Sequence, residues 1–225
     1  MTISYFNTMC IVIAISCITL YLRWINKRIN RVEDKQFNAI CDKTLRKLIS
    51  KGKIVITNIN DEDIQPASID IRISNDFLRM SNLKTNIEGE DIDIEQDIYI
   101  GKGKPVHYES YSVSNNEWFC INPGEFVLAS ARSYLKMPSD IVAFIEGKYS
   151  VGRQGLLVQN TGIVNPGYEG KITLELVNIT KSKIYIKPGQ NVAQIIFFYL
   201  DDNASNPYHK IKTENEEKKE EKLDE

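Results

Sequence analysis

Turn-forming residues recur at short intervals along residues 53–200, and they constrain the fold more than any other feature of the sequence. Short segments rich in Ile, Val, Tyr and Phe lie between them. The turn signals are Asn60-Asp61, Ser74-Asn75-Asp76, Gly101-Lys102-Gly103, Asn122-Pro123-Gly124, Pro166-Gly167 and Lys187-Pro188-Gly189. This pattern is typical of a barrel or sandwich of short strands, so we predict a mainly β domain. The last strand, residues 192–200, is apolar almost throughout and is expected to be central.

A short helix is predicted over residues 42–50, before the first strand. Leu45, Leu48 and Ile49 have the i, i+3, i+4 spacing of one apolar helix face. Gly52 is expected to end the helix, because glycine readily adopts the left-handed conformation that follows many helices.

The N-terminus is the most hydrophobic part of the chain, and residues 1–22 carry no charged side chain. An uncharged stretch of about 20 residues can span a bilayer core. A cleaved signal peptide is the alternative, but no basic residue precedes Arg23 and no small-residue cleavage site follows. We therefore predict a transmembrane anchor over residues 1–24 and a basic juxtamembrane linker over residues 25–39. The basic residues that follow the anchor predict a single-pass membrane protein whose body faces the cytoplasm.

Charge and cysteine content exclude several classes of protein. The net charge is −2, and a near-neutral body argues against nucleic-acid binding, which needs a broad basic face. Four cysteines without a CxxC pair, and only two histidines, do not match a zinc site of known spacing. Residues 213–225 contain one apolar residue and are predicted to be a disordered acidic tail.

Several segments, in order along the chain, resemble the dCTP deaminase and dUTPase superfamily, and dCTP deaminases in particular. They are IQPASIDIR at 64–72, PGEFVLA at 123–129, IEGKYSVGRQGL at 145–156, GIVNPGYEGKITLEL at 162–176 and PGQ at 188–190. The resemblance covers about residues 40–200 and implies a distorted β-barrel of the dUTPase-like, or β-clip, type. We place the domain at residues 40–212. The family also implies a homotrimer with active sites between subunits, a deoxynucleotide triphosphate substrate such as dCTP, and zinc-independent chemistry with Mg²⁺ carried on the triphosphate.

The resemblance assigns the catalytic roles to Glu175 and Arg153. Deamination adds water at C4 of cytosine, so a carboxylate must take a proton from that water and pass it on. Glu175 matches the catalytic glutamate of the family, and Arg153 matches an arginine near the reacting base. Because Glu175 alternates with Leu174 and Leu176, we expect it on the opposite strand face from these apolar residues. The alternative is an ordinary solvated glutamate.

Substrate contacts are assigned to a glycine-rich loop and to two later turns. Glycines let backbone N–H groups approach phosphate oxygens, although an ordinary turn with surface charges is the alternative. The resemblance implies that Asn165 and Tyr168 contact the sugar. The complete set of predicted substrate-binding residues is Lys148, Tyr149, Ser150, Gly152, Asn165, Tyr168 and Gln190. Asp70, in the first matching segment, is predicted to fix neighbouring loops or a subunit contact.

Three positions depart from the family pattern. Lys148 replaces an arginine, and Tyr149 replaces a serine that lies near the reacting centre. Asn165 replaces the aspartate that activates water in dUTP-hydrolysing members, which disfavours a dUTP pyrophosphatase. Two functions therefore stay open, a dCTP deaminase that produces dUTP and a nucleotide-binding or scaffold protein that has lost the reaction. An open pocket beside Tyr149 favours the enzyme, whereas a pocket filled by this ring favours the binding protein.

Overall fold

The computed structural model describes residues 16–25, 38–81, 83–85, 91–93, 106–159 and 162–209. Residues 16–25 are helical and are called α1. The other helices are α2 (Asp42–Ser50), a 3₁₀ turn (Asp61–Asp63) and α3 (Tyr149–Gly152). The strands are β1 (Val55–Ile56), β2 (Ile64–Gln65), β3 (Ser68–Ser81), β4 (Leu83–Thr85), β5 (Asp91–Asp93), β6 (His107–Ser112), β7 (Phe119–Ile121), β8 (Phe126–Lys136), β9 (Ile141–Gly147), β10 (Leu156–Gln159), β11 (Ile163–Val164), β12 (Glu169–Asn178), β13 (Ile184–Ile186) and β14 (Asn191–Tyr199).

Ten strands of the described residues form one antiparallel sheet with the central order β10-β12-β8-β3-β14-β9-β11. The long strand β3 pairs with β14 through its first half and with β8 and β6 through its second half, and the register shifts between Ile73 and Phe77. The sheet curls into a half-barrel, so the end of β9 approaches β10. The predicted mainly β fold is confirmed, and β14 lies between β3 and β9, as its apolar sequence predicted.

Strand β12 shows how the core leaves one face available for chemistry. Ile172, Leu174 and Leu176 are buried in the core. Burial of such a side chain contributes about 1.5–3 kcal/mol, which fixes the register of the strand. The intervening side chains, including Glu175, consequently lie on the outer face of the sheet.

Helix α2 occupies the predicted residues, and Leu45 and Leu48 are buried beneath it. Its end is a Schellman motif, in which Gly52 (φ 66°) donates its N–H to the Ile49 carbonyl and Lys53 donates to Leu48, both at 2.9 Å. The residues just before the helix join β14, since the Ile40 N–H donates to the Phe197 carbonyl at 2.8 Å.

The turn predicted at Ser74-Asn75-Asp76 is wrong, because β3 continues through these residues with a bulge. The side-chain amide of Asn75 donates to the Val113 carbonyl at 2.8 Å, and the Val113 N–H donates to the Asn75 carbonyl at 3.1 Å. Polar side chains that favour turns are used here to hold the neighbouring segment against a bent strand.

The predicted single-pass membrane localisation is contradicted. Across the part of the chain that the structure describes, no helix combines the length and the apolar character needed to cross a membrane. Residues 1–15 of the predicted anchor, residues 26–37 of the predicted linker and the predicted tail at 213–225 lie outside the described residues.

Candidate functional site

The loop that connects β9 to β10 contains the single turn of α3, and its shape depends on glycine. A Cβ on Gly147 would lie 2.7 Å from the Val158 carbonyl oxygen, so only glycine lets the end of β9 pack against β10. Gly155 has φ 84°, and a Cβ there would overlap the Thr180 side chain. These two positions hold the single turn of α3 above the junction between the strands.

An open groove of about 400 Å³ lies along this loop. It is lined by four predicted site residues, namely Lys148, Tyr149, Gly152 and Arg153, and also by Glu146, Leu157 and Gln159. The volume lies within the usual range of small-molecule sites, about 300–1,000 Å³. The Tyr149 side chain is 74% exposed and therefore does not fill the groove. Ser150 is exposed on α3 and is not part of the lining.

Tyr149 and Arg153 contact each other at the rim of the groove. The guanidinium carbon of Arg153 lies 5.3 Å from the centroid of the Tyr149 ring, a cation–π distance. The two residues are four apart on one helical turn, which places their side chains on the same side. The groove thus presents a permanent positive charge beside an aromatic ring.

Lys148 is already engaged by a carboxylate. Its ammonium forms an ion pair with Oδ2 of Asp70, which is only 4% exposed, and the side-chain amide of Asn191 donates to the same oxygen at 3.3 Å. The other oxygen of Asp70 has no hydrogen-bond partner among the described residues. This contact agrees with the loop-fixing role predicted for Asp70, and a phosphate at Lys148 would have to compete with it.

Glu175 lies on the outer face of β12, partly exposed, between Gln159 of β10 and Leu128 of β8. Gln159 lines one end of the groove, whereas Arg153 precedes the other end of β10 at Leu156. Glu175 itself is not among the residues that line the groove beside Arg153.

The predicted sugar-binding residues form a separate turn. The Tyr168 N–H donates to the Asn165 carbonyl at 3.1 Å, and Gly167 has φ 76°, which makes residues 165–168 a type II turn. The Tyr168 ring packs 5.6 Å from that of Tyr208, and its hydroxyl donates to the Lys171 carbonyl at 2.7 Å. Burial raises the pKa of Tyr168 above its ordinary value. Asn165 is exposed.

Gln190 lies away from the groove. Its side-chain oxygen accepts a hydrogen bond from the Lys187 N–H at 2.8 Å and closes the turn at residues 187–190. It also borders a small cavity of about 110 Å³ on the other side of α3. Its position supports a structural role more directly than the predicted contact with substrate.

Sequence reasoning did not select Glu146, Leu157 or Gln159 as groove residues. Leu157 and Gln159 are exposed and alternate with buried Leu156 and Val158, and this period-2 pattern was the available signal. Within the ranges that the structure covers, no group of three or more His, Cys, Asp or Glu side chains could hold a metal ion. The donor set there does not fit a metal bound by protein ligands alone.

The curled β sheet and its glycine-flanked cationic groove define a small-ligand site on a β scaffold, and comparison with known proteins assigns the family. The sequence matches the dCTP deaminase-like family over residues 40–200. The chain belongs to this family. It is 39% identical over 169 residues to the dCTP deaminase, dUMP-forming, of Sulfurihydrogenibium sp. (strain YO3AOP1), which covers 74% of this chain and 87% of that protein.

A second relative with the same name, from Methanobrevibacter smithii, is 40% identical over 172 residues, or 75% of this chain and 84% of that protein. The fold is similar to the crystal structure of 2'-deoxycytidine 5'-triphosphate deaminase from Agrobacterium tumefaciens, with a TM-score of 0.53 and 19% sequence identity. That match covers 72% of this chain and 48% of the other. The resemblance predicted from the sequence motifs is confirmed at the level of family and fold.

Proposed function

We propose that this protein is a zinc-independent dCTP deaminase that converts dCTP and water to dUTP and ammonia in pyrimidine deoxynucleotide metabolism. The observation that carries the proposal is the open groove beside Tyr149, which bears Arg153 and is not filled by the tyrosine ring. A groove of this kind favours a working site over a scaffold that has lost its pocket. The names of the relatives support dCTP as the substrate.

In the proposed reaction, Glu175 accepts a proton from water as the water oxygen bonds to C4, and it delivers that proton to N3. The bond from C4 to the amino nitrogen then breaks, and ammonia leaves with the second proton of the water. Arg153 stabilises the negative charge that develops near the base. Ser150 and the glycines of the loop bind the triphosphate, which carries its own Mg²⁺.

We propose that the site is completed between subunits of a homotrimer. Glu175 is not among the residues that line the groove of its own chain, and the groove of one subunit would receive Glu175 of a neighbour. Asn165 and Tyr168, on their separate turn, would reach the sugar in the same way. A shared site of this kind exists only in the assembled oligomer.

The names of the two relatives favour dUMP as an alternative product, because both are called dUMP-forming. Hydrolysis of dUTP needs a second base for the attacking water, and Asn165, an amide, occupies the position where the family pattern has an aspartate. An amide cannot accept that proton at neutral pH, so we propose dUTP as the main product.

The decisive assay incubates the full-length chain with dCTP, CTP and dUTP in the presence of Mg²⁺ and separates the products by anion-exchange chromatography. We expect dUTP and an equal amount of ammonia from dCTP. dUMP and pyrophosphate would establish the bifunctional alternative. An unchanged dCTP pool would refute the proposed activity.

Two variants test the roles of the catalytic pair. Glu175→Gln keeps the size of the side chain but removes its proton transfer, so kcat should fall about 10²–10⁴-fold with little change in nucleotide affinity. Arg153→Ala should weaken both binding and turnover. Glu169→Gln, on the same strand and also exposed, is the matched control. Full turnover in Glu175→Gln would exclude the proposed mechanism.

A mixing experiment tests the shared site. Co-expressed Arg153→Ala and Glu175→Gln chains form mixed trimers, in which about a quarter of the interfaces pair an intact groove with an intact Glu175. We expect about a quarter of the wild-type rate from the mixture and almost none from either variant alone. A mixture as inactive as its components would place the whole site within one chain.

A further inference from the structure

Tyr149 lines the groove yet stays 74% exposed. It is the first residue of α3, so its backbone position is set by the loop between β9 and β10 rather than by core packing. An exposed ring at the rim of a polar groove is available to a ligand.

One face of this ring is already covered. The Arg153 guanidinium lies 5.3 Å from the ring centroid, and this contact limits the orientations that the ring adopts. The high exposure of Tyr149 means that the opposite face remains open. Leu157, which is 38% exposed, adds apolar surface to the same groove.

A flat heteroaromatic ring fits this arrangement better than any other small ligand group. Stacking of a base on an aromatic side chain contributes about 1–3 kcal/mol per base, and it is tolerant of base identity because every base has a π face.

We propose that Tyr149 is a stacking platform for the pyrimidine base, and that the groove therefore binds cytosine and uracil nucleotides with similar affinity. This inference rests on the proposed function, because it assumes that the groove takes a deoxynucleotide. It makes Tyr149 a residue that adds affinity for nucleotides by contact with the base. Discrimination between dCTP and dUTP then arises in turnover and not in binding.

The test measures dissociation constants by isothermal titration calorimetry in the full-length chain with Glu175→Gln, so that dCTP is not consumed. The ligands are dCTP, dUTP and inorganic tripolyphosphate, each with Mg²⁺. Tyr149→Leu should weaken the binding of dCTP and of dUTP by the same factor, about 5- to 100-fold. It should change tripolyphosphate binding less than about twofold, and Tyr149→Phe should retain wild-type affinity for all three.

Three outcomes would overturn the inference. If Tyr149→Leu weakens tripolyphosphate binding as much as nucleotide binding, the ring acts by holding Arg153 in place. Unchanged nucleotide affinities would mean that the ring does not contact the base. A dCTP affinity ten times that for dUTP would mean that the groove reads the base edge. If the predicted pattern appears but the wild type makes no dUTP, the inference stands and the proposed reaction fails.

Discussion

Two turns of the molecule share the sequence Pro-Gly at their centre but differ in what surrounds them. In the turn at residues 187–190, the side-chain oxygen of Gln190 accepts a hydrogen bond from the first N–H of the turn, and Gly189 has φ 84°. The turn at residues 165–168 has the same backbone, with Gly167 at φ 76°, but its fourth residue is Tyr168, whose hydroxyl bonds to the Lys171 carbonyl instead.

The difference shows that a Pro-Gly pair sets the path of the backbone and that the fourth side chain decides whether the turn gains a second internal hydrogen bond. The turn at residues 187–190 has this bond and is also bonded to β3, since the Gly189 N–H donates to the Ile73 carbonyl at 2.9 Å. The turn at residues 165–168 is held from outside, since the Tyr208 N–H donates to the Pro166 carbonyl at 2.8 Å. This leaves Asn165 exposed, without a side-chain hydrogen bond among the described residues, and available to a ligand.

Gly167→Ala should have the largest effect. Alanine at positive φ costs about 1–2 kcal/mol, and its Cβ would lie 2.7 Å from Pro207 Cβ and from His209 Nδ1. We expect a loss of about 2–4 kcal/mol in the free energy of unfolding, measured by urea denaturation at fixed protein concentration. Gly189→Ala, whose Cβ meets only Arg132 at 3.6 Å, should lose about 1–2 kcal/mol. Equal losses would show that residues 207–209 do not support the turn at 165–168.

Gln190→Ala should cost about 1 kcal/mol of stability, because the Lys187 N–H loses its partner. Gln190→Glu keeps the acceptor and should restore most of that loss. Thermal denaturation of both variants measures the effect. A drop in nucleotide affinity without any loss of stability would instead support the substrate contact predicted from the sequence.

Asn165→Asp should change stability by less than about 0.5 kcal/mol, because the side chain is exposed. It should raise the rate of dUMP formation from dUTP, since a carboxylate can accept a proton from water. Chromatography of the products measures the rate, with Asn203→Asp as a control for the added charge. If dUMP formation does not increase, the side chain at position 165 does not take part in dUTP hydrolysis.

The smallest effect is expected at Glu169, beside the turn at residues 165–168. Hydrogen bonds from Lys136 and Tyr134 hold the pKa of this carboxyl below its ordinary value. Because the folded pKa is depressed, the stabilisation is present above about pH 5 and is lost as the pH falls through the lowered pKa. Lys136→Met should raise the pKa of Glu169, as measured by NMR titration, whereas Lys171→Met should raise it less.

Local patterns predicted much of the fold. Helix α2, the central position of β14 and the three Pro-Gly turns follow from neighbouring residues, and all are observed. The turn at Ser74-Asn75-Asp76 failed because Asn75 bonds to Val113, a contact that no local window contains. The membrane prediction relied on the uncharged N-terminal segment and the basic residues that follow it, and the described helices do not support it.

In the candidate site, too, the sequence predicted the residues that are close along the chain but not the contacts between distant ones. Lys148, Tyr149 and Arg153 are neighbours in sequence, and they meet in the groove. The ion pair between Lys148 and Asp70 joins residues that are 78 positions apart, so spacing gave no indication of it. The pairing of Glu175 with Gln159 follows from strand order, which no single motif determines.

Strand β14 has a consequence for how the chain reaches its native state during synthesis. It is the last strand along the described chain, yet it lies between β3 and β9 in the sheet and pairs with the backbone next to α2. The ribosome therefore releases the early strands before the partner that joins them exists. Folding cannot be completed until residue 199 has emerged, and until then β3 and β9 expose unpaired edges, which favour aggregation.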